Sequence, residues 1–230
     1  MKLLAIETTG KQGSIVLSDA EHDLWSVSLP EQQRSTQSLV PTIRSALSEI
    51  GWSSDNLTHI AVAVGPGSFT GLRVGVTTAK MLAYATGAKI IAVSTLQAIA
   101  ARIEVPAQPD LVIAAAMDAQ RGDLSARFFR QTQGSIPVPI TEIERIHSKI
   151  WWQKIMKYEN VIVASPMVND IPDNMPHVRL AEKKERFPHA EGVAKVAREK
   201  IQRGEYDDIW TIRPFYSRLS AAEEKKLNVH

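Results

Sequence analysis

Leu3-Leu4-Ala5-Ile6-Glu7 and Val112-Ile113-Ala114-Ala115-Ala116-Met117-Asp118 are two versions of one pattern, a compact apolar run that stops at a carboxylate. Each is followed by a short turn that holds a glycine, Gly13 in the first and Gly122 in the second. A second strand-like run then returns, over 14–18 in one case and 124–130 in the other. The repeat suggests two related halves, each a sheet with helices, facing each other across a cleft. Apolar strands that end in Asp or Glu are common, so the repeat alone is a modest signal.

Working outward, 23–29 alternates as a third strand, and 59–64, 89–93 and 161–164 are short apolar strands. Leu39, Ile43, Ala46, Leu47 and Ile50 fall on one face at helical spacing, with Ser35 or Thr36 in the capping position. Further helices are expected over 71–86, 95–103, 148–156 and 190–202. Strands that alternate with helices argue an α/β sheet covered by helices. Pro106 and Pro109 mark 104–110 as the boundary, so the expected lobes are 1–104 and 105–230, the second reduced and ending in a polar tail.

Composition narrows the function. The 230 residues are 44% hydrophobic and 23% charged, an ordinary globular balance that argues against long disorder. With no cysteine, disulfide scaffolds, thiol nucleophiles and thiolate metal sites are excluded. A formal charge of +2 is too small to announce a nucleic-acid binder by charge. The apolar run at the N-terminus stops at Glu7, too short for a signal peptide, and no run reaches the ~18 residues of a membrane span. A soluble, cytoplasmic protein without membrane contact is expected.

The densest chemical signal is Gly65-Pro66-Gly67-Ser68-Phe69-Thr70-Gly71-Leu72-Arg73-Val74-Gly75, which follows a strand and opens a helix. Free backbone N–H groups and the positive end of a helix dipole would suit an anion there. The same glycines also suit a plain tight turn. The spacing fits neither the dinucleotide fingerprint nor a Walker loop. Gly71, Gly75, Ala79 and Ala83 then form a stripe of small residues that either lies on the chain's own sheet or lets a partner helix approach closely. Glu7 and Asp118 are the carboxylates placed to flank a cleft, where they would either hold a Mg²⁺–nucleotide complex or accept hydrogen bonds from their own turns. No two of the six histidines lie three to five residues apart, and no Gly-x-Ser-x-Gly elbow occurs, so zinc and serine-triad chemistry are unsupported.

Taken in order, Leu3-Leu4-Ala5-Ile6-Glu7-Thr8-Thr9, the glycine-rich segment 65–75, Val93-Ser94-Thr95-Leu96, Ala116-Met117-Asp118-Ala119-Gln120-Arg121-Gly122 and Arg213-Pro214-Phe215-Tyr216-Ser217-Arg218 resemble the bacterial TsaB (YeaZ) family. The resemblance implies an actin- and hexokinase-like (ASKHA) fold, two ribonuclease-H-like lobes of mixed sheet with flanking helices. It implies a non-catalytic role in making threonylcarbamoyladenosine next to the anticodon of tRNAs that read codons beginning with A. It also implies a heterodimer with the metal-containing paralogue TsaD, a platform for the ATPase TsaE, tRNA contact only through the complex, and self-association when the partner is missing.

By that resemblance the pairing surface uses the helix of Leu39, Ile43 and Leu47 and the helix of Gly71, Leu72, Gly75, Ala79 and Ala83. Glu7, Thr8, Gly65, Gly67, Ser68 and Asp118 would be the nucleotide- or anion-binding residues, with no catalytic residue, no metal, and at most weak ATP or ADP binding. Arg34-Ser35-Thr36 departs from the histidine usual before the first helix, and Glu7 stands where many relatives have Asp. The alternatives are an ATP-dependent phosphotransferase or ATPase built on Glu7 and Asp118, and a glycoprotease-like metallopeptidase.

Overall fold

The computed structural model describes residues 1–20, 22–31, 35–104, 110–131 and 136–217. The first sheet contains β1 (Leu3–Glu7), β2 (Ser14–Ser18), β3 (Asp23–Ser28), β4 (His59–Gly65) and β5 (Lys89–Ser94), in the order β3-β2-β1-β4-β5. β1, β2 and β3 form an antiparallel meander, and β4 and β5 add in parallel on the other side of β1. The parallel strands need crossovers, supplied by α1 (Ser35–Glu49) before β4 and α2 (Phe69–Thr86) before β5, with α3 (Thr95–Ala100) after β5.

The second sheet repeats this plan. It contains β6 (Val112–Asp118), β7 (Asp123–Arg130), β8 (Val138–Pro139), β9 (Glu144–His147), β10 (Val161–Ala164) and β11 (Val178–Leu180). β6 occupies the place of β1, flanked by antiparallel β7 on one side and by parallel β10 and then β11 on the other. α4 (Ser148–Ile155) precedes β10 and α5 (Ala190–Gln202) follows β11, while the described residues between β10 and β11 contain no helix matching α2. The two apolar runs that end in Glu7 and Asp118 are therefore the equivalent central strands of a duplicated, ribonuclease-H-like arrangement.

Because helices cover both faces of these sheets, the strands read as continuous apolar runs rather than as alternations. Side-chain alternation splits each strand between two cores. Leu4, Ile6, Ile60 and Val62 pack against α1 and α2 through Leu39, Ile43, Leu47, Val76, Ala79 and Ala83. Leu3, Ala5, Ala61 and Val93 face the opposite way, onto Ala190, Val193, Ala194 and Ala197 of α5. In the second sheet Ala114, Ala116 and Phe128 pack on Trp151 and Ile155 of α4, while Ile113, Ala115 and Phe129 pack on Leu96, Ile99 and Ala100 of α3. The helices between the sheets are thus exchanged. The last helix of the second half covers the first sheet, and the last helix of the first half covers the second sheet.

α3 and α5 touch each other closely, since a Cβ at Gly192 would overlap the carbonyl oxygen of Ala98. Element boundaries match the sequence expectations within a few residues, with two informative differences. α2 starts at Phe69 because Ser68 is its cap. α1 begins at Ser35, so the cap expected at Ser35 or Thr36 lies inside the helix, and the residue before it is outside the described residues. The short strands β8, β9 and β11 carried no usable pattern in the sequence.

Candidate functional site

The C-terminal ends of β1 and β6 open onto one cleft of about 980 Å³, lined by Thr9, Gly10, Lys11, Gly67, Ser68, Phe69, Met117, Asp118, Tyr216 and residues of 166–169 and 187–188. Its floor is built where the β1–β2 turn meets the start of α2. The Ser68 N–H donates to the Thr9 carbonyl at 2.9 Å, and Ser68 Oγ accepts from the Gly71 N–H at 3.3 Å as the helix cap. A Cβ at Gly67 would overlap Thr9, so only glycine lets these two loops meet. Gly67 and Ser68 line the cleft, as does Asp118.

The remaining expected anion-binding residues lie behind the floor. Thr8 turns toward α2, where its hydroxyl donates to the Gly71 carbonyl at 2.7 Å. Gly65, at φ 120°, packs against the carbonyl of Phe215, whose N–H donates to Val64 at 2.6 Å. Glu7 is fully buried. Its Oε1 accepts from the Thr9 N–H at 2.5 Å and from the Thr9 hydroxyl, while Oε2 has no partner. Burial pushes the carboxyl up from 4.5 to about 7, only partly opposed by the Thr9 and Gly10 donors and by Arg102.

Asp118 makes the same kind of turn contact as Glu7 but differs in its exposure. It is exposed, and its Oδ1 accepts from the Gln120 N–H at 2.7 Å in its own turn. The next two residues, Gln120 and Arg121, have φ values of 65° and 57°, unusual for side chains of their kind. Among the described residues, no group of three or more His, Asp and Glu side chains gathers to hold a metal.

The family model described as "TsaD: tRNA N6-adenosine threonylcarbamoyltransferase" matches residues 29–142. The "tRNA threonylcarbamoyladenosine biosynthesis protein TsaB" of Bacillus subtilis is 25% identical over 98% of this chain and 97% of its own length. Its Escherichia coli namesake is 34% identical over 101 residues, 44% of this chain and 43% of that protein. The solved YeaZ from Pseudomonas aeruginosa superposes with a TM-score of 0.73 at 23% identity, covering 94% of this chain and 99% of that one. Over nearly its whole length the chain is similar to TsaB (YeaZ) proteins. Its duplicated sheets share the fold of that YeaZ structure, two lobes of mixed sheet with flanking helices.

The residues expected at the pairing surface are buried in the chain's own core. Leu39, Ile43, Leu47, Gly71, Leu72, Gly75, Ala79 and Ala83 all face inward, because β1 ends directly beneath the first turns of α2. A Cβ at Gly71 would overlap the Thr8 carbonyl, and one at Gly75 would overlap the Thr8 hydroxyl. The small-residue stripe therefore seats the helix on its own sheet, one of the two arrangements the sequence left open.

What α1 and α2 present outward is different. Val40 is 60% exposed, Met81 65% and Tyr84 68%, and Trp210 of the C-terminal segment, at 73%, packs edge-on against Tyr84. Sequence reasoning missed this face because it scored the buried side of each helix.

Two other functional features were also missed. Residues 205–217 run from the β5 edge to the cleft mouth, held by Asp207 N–H to Ile90, Lys80 Nζ to Ile212, and Phe215 N–H to Val64. There Tyr216 stacks on Phe69, and Arg73 lies 4.0 Å over the Phe69 ring while donating to the Tyr216 hydroxyl. Arg73 thus supports the rim. The Arg213-Pro214-Phe215-Tyr216-Ser217 run was the signal available in the sequence. Arg102 had none, yet it donates to the carbonyls of Lys184 and Phe187 and so positions one wall of the cleft.

Proposed function

We propose that this chain takes part in forming threonylcarbamoyladenosine in tRNA, as the non-catalytic partner of the transferase named by the matching family model. The Bacillus subtilis relative that matches it end to end carries the name of that pathway. The observation that carries the partner role is the outward apolar strip of Val40, Met81, Tyr84 and Trp210. Large apolar side chains left this exposed mark a surface that another protein covers. The strip lies on α1 and α2, within the 1–104 lobe, apart from Trp210, and a TsaD-type paralogue is its proposed occupant. A second copy of the chain would use the same face when the paralogue is missing.

In this reading the TsaE-type ATPase docks on the assembled pair, and tRNAs reading codons that begin with A meet the chain only through the complex, in the cytoplasm. The cleft takes ATP or ADP weakly and turns nothing over. The phosphotransferase alternative has less support, because one of its carboxylates is sealed off and the other is engaged in its own turn. The test is tRNA threonylcarbamoylation in a reconstituted mixture with and without this chain. Product that requires both this chain and the paralogue is expected. Full product without the chain refutes the role.

A further inference from the structure

The C-terminal segment follows α2 along nearly its whole length. Phe69, Arg73, Lys80 and Tyr84 recur at helical spacing and share one stripe of that helix. Each meets the segment at a different point. Trp210 packs edge-on against Tyr84 with ring centres 5.9 Å apart, and Lys80 Nζ donates to the Ile212 carbonyl at 3.2 Å. Tyr216 stacks on Phe69 at 4.8 Å, and its hydroxyl accepts from Arg73 at 3.2 Å. One end of the segment therefore lies in the exposed apolar strip, while Tyr216 and Ser217 at the other end line the cleft.

The connection between those ends has little slack. Fifteen helical steps of about 1.5 Å put Phe69 about 22 Å from Tyr84. The six steps from Trp210 to Tyr216 reach at most about 20–22 Å. Few anchors hold the segment. Its backbone forms one β-bridge among the described residues, Asp207 with Ile90, and the Asp207 carboxylate accepts from the Ala92 N–H at 2.7 Å. Ile212 is its only buried side chain. Beyond it the Phe215 N–H donates to Val64, where the register of β4 against β5 shifts. A segment without helix or strand and with so few anchors sits at the low end of local stability.

We propose that residues 205–217 dock on α2 as one unit, a strap through which covering Trp210 in the pairing face fixes Tyr216 at the cleft mouth. A partner that takes only the docked strap shifts the balance toward it, and whatever holds Tyr216 in place strengthens pairing by the same factor. The inference rests on the partner role proposed above, whereas docking as one unit is a property of the chain alone.

The experiment is amide hydrogen exchange of the whole chain, alone and with the transferase paralogue. In the isolated chain, Trp210→Ala should speed exchange of the distant Phe215 N–H, and Tyr216→Ala that of the Asp207 N–H. Each rise should be roughly two- to tenfold, the range that an aromatic pair supplies. Tyr216→Phe keeps the ring on Phe69 and should leave Asp207 close to the wild type. Effects confined to the residues beside each substitution would overturn the proposal and leave the segment as a plain cover for β5, the edge strand of its sheet.

Pairing should slow exchange at Phe215 as well as at Trp210. Tyr216→Ala should weaken pairing by a similar factor, although its contact is at the opposite end of α2 from Tyr84. Pairing that leaves Phe215 exchange unchanged, or that tolerates Tyr216→Ala without loss, would overturn the coupling. No pairing at all would refute the partner role and the link to a partner with it, while exchange in the isolated chain still decides whether the strap moves as one.

Discussion

Replacing Glu7 by Gln should change how the stability of this protein depends on pH. The folded state holds the Glu7 carboxyl at about 7 against an ordinary value of 4.5, so it binds the proton more tightly than the unfolded chain does. Stability from this linkage is complete below pH 4.5, is lost progressively as pH rises, and is gone above about pH 7. A shift of that size corresponds to about 3 kcal/mol. Because the side chain is fully buried, solvent screening does not reduce the figure as it would at the surface. Gln keeps the shape and an acceptor for the Thr9 donors but cannot ionise. Urea unfolding of both proteins between about pH 5 and about pH 8 should therefore show the variant gaining on the wild type by about 2.5 kcal/mol as pH rises. A constant offset is expected from the altered hydrogen bonding and carries no information. A difference that stays flat within about 0.5 kcal/mol across the range would show that Glu7 is not held neutral by burial.

Other substitutions probe the remaining parts of the argument. Gly71→Ala and Gly75→Ala drive a methyl group into Thr8 and should cost about 2–3 kcal/mol or more, read as a lowered melting temperature of the isolated chain. Native-like melting of both variants would mean that α2 does not sit on β1 as described. Trp210→Ala and Tyr84→Glu should change stability by less than about 0.5 kcal/mol and abolish co-elution with the transferase paralogue, whereas intact pairing would remove the apolar strip from the interface. Arg102→Met strips the carbonyls of Lys184 and Phe187 of their donor and should destabilise by about 2–3 kcal/mol, with hydrogen exchange rising first in 183–191.

How much of this could be read in advance depended on how local the cause was. The paired starts at Leu3 and Val112 were legible because a strand buried on both faces writes itself as an unbroken apolar run. Ser68 caps the helix that starts beside it, a signal carried by neighbouring residues, yet the expected start at 71 passed it over. The meaning of Gly71, Gly75, Ala79 and Ala83 was not legible, since a stripe of small residues records a close approach without naming what approaches. Thr8, which settles it, lies more than sixty residues earlier in the chain. Likewise the apolar face of α5 was plain in Ala190, Val193, Ala194 and Ala197, but nothing in those residues points to the first sheet rather than the second. The burial of Glu7 was hidden for the same reason, because Pro188 and Gly67, which pack on the neighbouring Gly10 and Thr9, lie far away in the sequence.

The exchange of α3 and α5 has a consequence for the chain as it leaves the ribosome. One apolar face of the first sheet, with Leu3, Ala5, Val16, Ala61, Ala63 and Val93, is complete once β5 has emerged. Its cover is α5, made nearly a hundred residues later. At roughly 5–20 residues per second that face stays bare for about 5 to 20 seconds in every round of translation. The interval favours chaperone capture of the nascent chain. It also means that the N-terminal half, released on its own by a premature stop, would carry a permanently uncovered sheet and enter the cell as an aggregation seed rather than as a working fragment.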